Sequence, residues 1–167
     1  MPVSFLPKRI YNSLTCISPD ALYGQGIRLL MLDFDNTIIP YTTNDPTEEM
    51  RLWLEKAKTS KVQICVVSNS KNGRVVEFCE KYDIPYITQA KKPGTKGIKA
   101  CMNRYGRKPK ECALVGDQIY TDVLGANCAS ITSILIPAIH NHNFWLKLRH
   151  VLEQPWIIAS KKRRVKL

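Results

Sequence analysis

No stretch of this 167-residue chain is apolar for long enough to cross a membrane. Its uninterrupted aliphatic runs stop after a few residues, as at Leu29–Leu32, where a spanning helix needs roughly 18. The opening MPVSFLPKRIYNSLT lacks the apolar stretch and small-residue cleavage site of a secretory signal. No CxxC is present, and the six cysteines, at 16, 65, 79, 101, 112 and 128, come no closer than 11 residues. That spacing offers neither a zinc site nor a disulfide framework. We read all six as reduced thiols of a cytosolic-type compartment, with Cys65, inside KVQICVVS, as a small core hydrophobe. Repeats and low-complexity linkers are also missing. The length suits one domain, large enough to fold without covalent staples.

Acidic residues are scarce too. Fourteen face 25 Lys and Arg, for a net charge of +11. The excess is uneven: residues 91–110 hold eight cations and no acid, and residues 140–167 hold seven against Glu153 alone. Such runs serve solubility or meet a polyanion, whether nucleic acid, anionic lipid or a phosphorylated substrate.

What remains is an alternation of apolar runs and helical segments. Ser18-Pro19-Asp20 reads as a helix start and Gly24 as its stop. The runs 27–33, 61–68, 84–88, 111–117 and 131–136 read as strands, the first two buried on both faces. Between them, helices are expected over 45–59, 72–82, 95–105 and around 121–128. This order means βαβ units and a parallel sheet, whose ligands sit beyond the carboxyl ends of the strands. Asp33, Ser68 and Asp117 fall at three such ends.

Asp33-Phe34-Asp35-Asn36-Thr37 puts two carboxylates where a strand enters a loop, a pattern that serves a hard cation such as Mg²⁺ or merely an acidic turn. Gly116-Asp117 adds a third carboxylate, and Asp122 opens the next helix, where either acid could simply cap it. Three acids at one sheet edge repel without a cation. Ser68-Asn69-Ser70 and Lys91-Lys92-Pro93-Gly94 lie between these clusters. Each alone is ordinary turn or surface chemistry, but a Ser and a Lys there would suit phosphoryl oxygens.

Taken in order, DFDNT, VVSNS, KKPG and GDQIYTD resemble the four motifs of the haloacid-dehalogenase (HAD) superfamily of phosphatases. The likeness covers about residues 27–137. With the lead-in FLPKRIYNSL and ISPDALYGQGI, and VLGAN after Asp122, the chain resembles more narrowly the YqeG-like subclass IIIA family, which includes phosphatidylglycerophosphate phosphatases. The resemblance implies a Rossmann-like α/β fold, a parallel sheet flanked by helices. It implies Asp33 as nucleophile and Asp35 as acid and base, with Ser68, Asn69 and Lys92 on the phosphoryl oxygens and Lys91 as the rival lysine. Mg²⁺ would be held by Asp33, Asp35 (through its carbonyl) and Asp117, with Thr37 and Asp122 supporting from behind.

The 35 residues from Asp33 to Ser68 and the 24 from Ser68 to Lys92 are each consumed by one helix and one strand, which leaves no room for a cap domain. We therefore expect lead-in helices over 1–26 packed on the core, a catalytic core over 27–137, an amphipathic helix and apolar segment over 138–160, and a basic tail over 161–167. The tail suits anionic lipid, RNA or no fixed structure. His140, His142 and His150 pair with none of the acids.

The expected activity is Mg²⁺-dependent hydrolysis of phosphatidylglycerophosphate, an anionic phospholipid, by a cytoplasmic protein peripheral to the inner face of a membrane. No nucleic acid partner is expected. A soluble sugar phosphate or nucleotide is the alternative substrate, and a non-catalytic domain binding nucleic acid or another partner the alternative of another class.

Overall fold

In the computed structural model, residues 4–71, 73–139, Gln154, Pro155 and Ile158 are described. Six parallel strands form one sheet in the order β1-β6-β5-β2-β3-β4. They are β1 (Arg9–Ile10), β2 (Leu29–Leu32), β3 (Gln63–Val67), β4 (Tyr86–Ile87), β5 (Cys112–Gly116) and β6 (Thr132–Leu135). The helices are α1 (Pro19–Gly24), α2 (Glu48–Thr59), α3 (Gly73–Lys81), α4 (Lys96–Arg104) and α5 (Leu124–Cys128).

The continuous apolar strands are buried on both faces because their side chains alternate between two cores. Leu30, Leu32, Ile64, Val66, Ala113 and Val115 join Met50, Trp53, Leu54, Val75 and Phe78 of α2 and α3. Leu29, Met31, Cys65, Val67, Cys112 and Leu114 join Ile98, Cys101 and Met102 of α4 and Ala126 of α5. The result is a three-layer α/β/α arrangement, the Rossmann-like HAD fold, with no cap domain among the described residues.

Local chemistry sets the helix ends. The Ser18 hydroxyl accepts from Ala21 N–H at 3.3 Å, with Pro19 in the first turn. Helix α2 begins at Glu48 rather than near Asp45, because the Thr47 hydroxyl accepts from Met50 N–H at 3.2 Å. Asp45 instead pairs with Lys81 at 2.6 Å. The expected helix around 121–128 starts earlier, as a π-helical turn over Ile119–Val123 that runs into α5.

The lead-in is not purely helical. Arg9–Ile10 adds an edge strand beside β6, with Lys8 N–H donating to Ser133 O and Tyr11 N–H to Leu135 O, both at 3.1 Å. Further on, the Trp53 indole N–H donates to Ile17 O at 2.7 Å and ties the lead-in to α2. The helix expected over 143–153 and the basic run over 161–166 lie outside the described residues. No helix among the described residues is long and apolar enough to cross a membrane.

Trp53→Phe keeps the ring and strands a buried carbonyl. It should cost about 1–3 kcal/mol, read as a lower midpoint in denaturant unfolding.

Candidate active site

Strand β2 pairs with β3 on one side and β5 on the other, with Leu32 opposite both Val66 and Val115. The chain runs outward from β2 in both directions, so a crevice opens at that switch point. Neighbouring strands lie about 4.8 Å apart. Side chains just past the ends of β2, β3 and β5 therefore meet. Those side chains are Asp33, Ser68 and Asp117, all buried or nearly so.

Lys92 reaches into the same place from the turn after β4. Its Nζ lies 2.7 Å from Asp33 Oδ1 and 2.7 Å from Asp122 Oδ1, and its side chain is 1% exposed. Burial works against the charged amine, but the carboxylates of Asp122 and then Asp33 outweigh it and raise the Lys92 pKa above its ordinary value. Lys91 is exposed, with positive φ, so of the two lysines Lys92 occupies the site. Gly94 is fixed by this turn, since a Cβ there would lie 2.7 Å from Lys91 O.

Asn69, expected on a phosphoryl oxygen, lines the cavity and also holds the lysine's backbone. Its Oδ1 accepts from Lys92 N–H at 2.7 Å and its Nδ2 donates to Lys92 O at 2.8 Å. Both side-chain polar atoms thus hold the lysine's backbone. Ser68 Oγ accepts from Ser70 N–H at 3.1 Å and lines the cavity. Thr37 is fully buried, and its hydroxyl has no hydrogen-bond partner among the described residues.

Asp122 is committed on both oxygens, Oδ1 to Lys92 and Oδ2 to the N–H of Gln118 at 3.1 Å. Its carboxylate fills the space beside Gly116, where a Cβ would fall 2.2 Å from Oδ2. Burial, with Asp33 adding to it, raises the Asp122 carboxyl despite Lys92.

Carboxylate oxygens of Asp33, Asp117 and Asp122 lie within 4.8 Å of one another. One ammonium serves the three, so the cluster keeps an anionic excess suited to a hard divalent cation. Asp122 has both oxygens engaged, by Lys92 and by Gln118 N–H, whereas Lys92 takes only Oδ1 of Asp33. The Asp35 side chain is not part of the cluster and pairs with Arg74 at 2.8 Å. Burial, followed by the charge of Asp33, raises the Asp35 carboxyl against the pull of Arg74 and Lys92.

A cavity of about 330 Å³ opens over these groups, lined by Asp33, Asp35, Ser68, Asn69, Lys92, Tyr41, Gln118 and Thr121. Tyr41, Arg74, Gln118 and Thr121 escaped the sequence reading. For Arg74 a signal existed: it is a cation in the first turn of α3, where the helix dipole favours acids. The other three carry no pattern that separates them from loop residues.

Residues 89–138 match the HAD-hydrolase-like family model. Across nearly its whole length the chain is similar to the probable phosphatase YqeG of Bacillus subtilis strain 168, 29% identical over 160 residues, which are 95% of this chain and 93% of that one. Solved structures share the fold. A HAD-superfamily hydrolase from Ehrlichia chaffeensis superposes with a TM-score of 0.54 at 15% identity, over 78% of this chain and 98% of that one. The cobalt-bound deoxy-D-mannose-octulosonate 8-phosphate phosphatase of Haemophilus influenzae gives 0.53 at 13% identity, over 78% and 89%.

Asn69→Ala frees both backbone anchors of Lys92 without touching a carboxylate. A misplacement near 1 Å can cost ~100-fold, so kcat/KM for a chromogenic phosphate ester should fall by about that order. Circular dichroism should stay that of the folded protein.

Proposed function

We propose that the protein is a Mg²⁺-dependent phosphomonoesterase that works through an aspartyl phosphate on Asp33. The observation that carries this reading is the convergence of Asp33, Asp117 and the buried Lys92 ammonium at one switch point, with Asp35 two residues beyond Asp33. Asp33, Asp117 and the Asp35 carbonyl would hold the ion, which when bound draws charge from the phosphoryl oxygens.

An Asp33 carboxylate oxygen bonds to phosphorus as the bond from phosphorus to the ester oxygen breaks. The electron pair leaves with that oxygen, which takes a proton from Asp35. Asp35 then accepts a proton from water as the water oxygen attacks phosphorus and frees Asp33. Lys92 and Ser68 bind phosphoryl oxygens throughout, and Asp122 keeps Lys92 charged and aimed.

Asp33→Asn should abolish turnover of a chromogenic phosphate ester with the fold unchanged, and chelation should silence the native protein until Mg²⁺ is restored. Turnover by Asp33→Asn near the native rate would refute the nucleophile. A native protein that turned over no phosphate ester with Mg²⁺ present would leave a binding domain as the better reading.

The proposed substrate is phosphatidylglycerophosphate, met at the inner face of a membrane. The absence of a cap among the described residues supports it, because a terminal phosphomonoester on a bilayer could reach an open mouth. The charge of 91–110 supports it only in part. Lys91 and Lys96 flank the Lys92 turn on the site edge. Arg104, Arg107, Lys108 and Lys110 lie at the other end of α4, where Arg107 donates to Gln63 at the start of β3. Apart from Lys99 in the middle of α4, these cations thus belong to opposite ends of the strands.

This makes a sharp comparison. Each cation near an anionic surface is worth about 1 kcal/mol, so Lys91→Gln with Lys96→Gln should weaken vesicle binding by about 2 kcal/mol. Lys108→Gln with Lys110→Gln should leave it unchanged. Turnover of the lipid in anionic vesicles should exceed that of a panel of sugar phosphates and nucleotides. A reversed preference would assign a soluble phosphate instead.

A further inference from the structure

Arg74 makes four hydrogen bonds near the mouth, and the proposed reaction does not use it. Its Nη1 donates to Asp35 Oδ1 at 2.8 Å. Its Nη2 donates to the carbonyl oxygens of Pro40 and Thr43, and its Nε to Asn44 Oδ1 at 3.1 Å. The guanidinium carbon sits 5.2 Å from the centre of the Phe34 ring. The side chain is 18% exposed, with the bonds to Asp35 and Pro40 partly buried and those to Thr43 and Asn44 open to solvent. Helix α3 thereby grips both the residue two past the Asp33 carboxylate and the loop that follows it.

We propose that Arg74 is a positioning residue that holds Asp35 and the 40–44 loop as one rigid unit, aiming the Asp35 carboxyl at the leaving-group oxygen and setting Tyr41 at the rim. The inference rests on the acid and base role read for Asp35. Arg74 occupies Oδ1, so Oδ2 is the oxygen that exchanges the proton with the substrate. A guanidinium suits this task because its planar fork presents several fixed donors at once, which an ammonium cannot do. Three of the acceptors lie in the loop and one on Asp35, so one guanidinium holds both. Tyr41, 53% exposed on that loop, lines the cavity over the carboxylates. It is placed to meet the part of the substrate beyond the phosphoryl group.

The test compares two esters of similar shape, phenyl phosphate and p-nitrophenyl phosphate, in kcat/KM, which stops at the first phosphoryl transfer. The basic phenoxide needs the Asp35 proton, and the nitrophenoxide barely does. General acid catalysis is worth roughly 10²–10⁴-fold, so Arg74→Gln should cost phenyl phosphate about 10–100-fold and p-nitrophenyl phosphate less than about threefold. Chymotryptic cleavage after Tyr41 should also become faster. Arg74→Lys should recover part of the discrimination between the esters while leaving Tyr41 as open to cleavage as in Arg74→Gln.

Equal losses on the two esters would overturn the inference, as would unchanged cleavage after Tyr41. Asn44→Ala removes a single loop contact and spares the Asp35 pair. It should speed cleavage without altering the discrimination, and keeps the test decisive should Arg74→Gln fail to fold. Asp35→Asn is run on the same esters. If it shows no discrimination, the acid and base role itself fails. If it discriminates and Arg74→Gln does not, the Arg74 inference alone falls.

Discussion

The buried ammonium of Lys92 is the interaction on which the site depends. An amine that is 1% exposed, with carboxylates 2.7 Å away on either side, exists only as part of a charged group that excludes water. Charges buried this way cost several kcal/mol each in desolvation and recover it only with excellent geometry. The surrounding residues supply that geometry. Asn69 fixes the lysine's backbone at both N–H and carbonyl, Gly94 permits the turn, and Gly116 leaves the volume that the Asp122 carboxylate fills. Residues far apart in sequence are thus tied to one ammonium.

The sheet brings them within reach of it. Strand β2 lies between β3 and β5 with its last residue level with both neighbours. The residues one step past these ends then fall within a strand spacing or two of each other. A shift by one residue in either pairing would turn Asp33, Ser68 or Asp117 toward the opposite face. The alternation of Leu30 and Leu32 against Leu29 and Met31, buried in separate cores, opposes such a slip. Packing of the apolar strands is in this way what keeps the polar ends in register.

Much of this was legible in the sequence because it rests on local rules. Buried parallel strands read as apolar runs, and the Ser18-Pro19 start and the stop near Gly24 follow from capping alone. The pieces that escaped depend on partners distant in the chain. Arg9–Ile10 is a two-residue edge strand defined by β6, too short for any alternation to show. Asn69 reads as a phosphate donor, and only the fold shows that it also holds the Lys92 backbone. Arg74 stands out as a cation where the helix dipole favours acids, yet only the fold reveals Asp35 and the Pro40 and Thr43 carbonyls around it.

Charge shows the same limit from the other side. The cations of 91–110 form one block in sequence, yet α4 runs the length of the sheet and parts them, with Lys91 and Lys96 beside the site and Lys108 and Lys110 beyond the far end of the strands. A surface interaction screened within about 8–10 Å registers only the near group, so net charge alone says little about what the mouth attracts. With no cap among the described residues, the cavity is bounded on one side by the 40–44 loop, whose exposed Tyr41 lines it. That loop is also the element that Arg74 joins to Asp35. The rim of the cavity and the Asp35 carboxyl therefore share one support in the Arg74 guanidinium, so replacing it disturbs both at once.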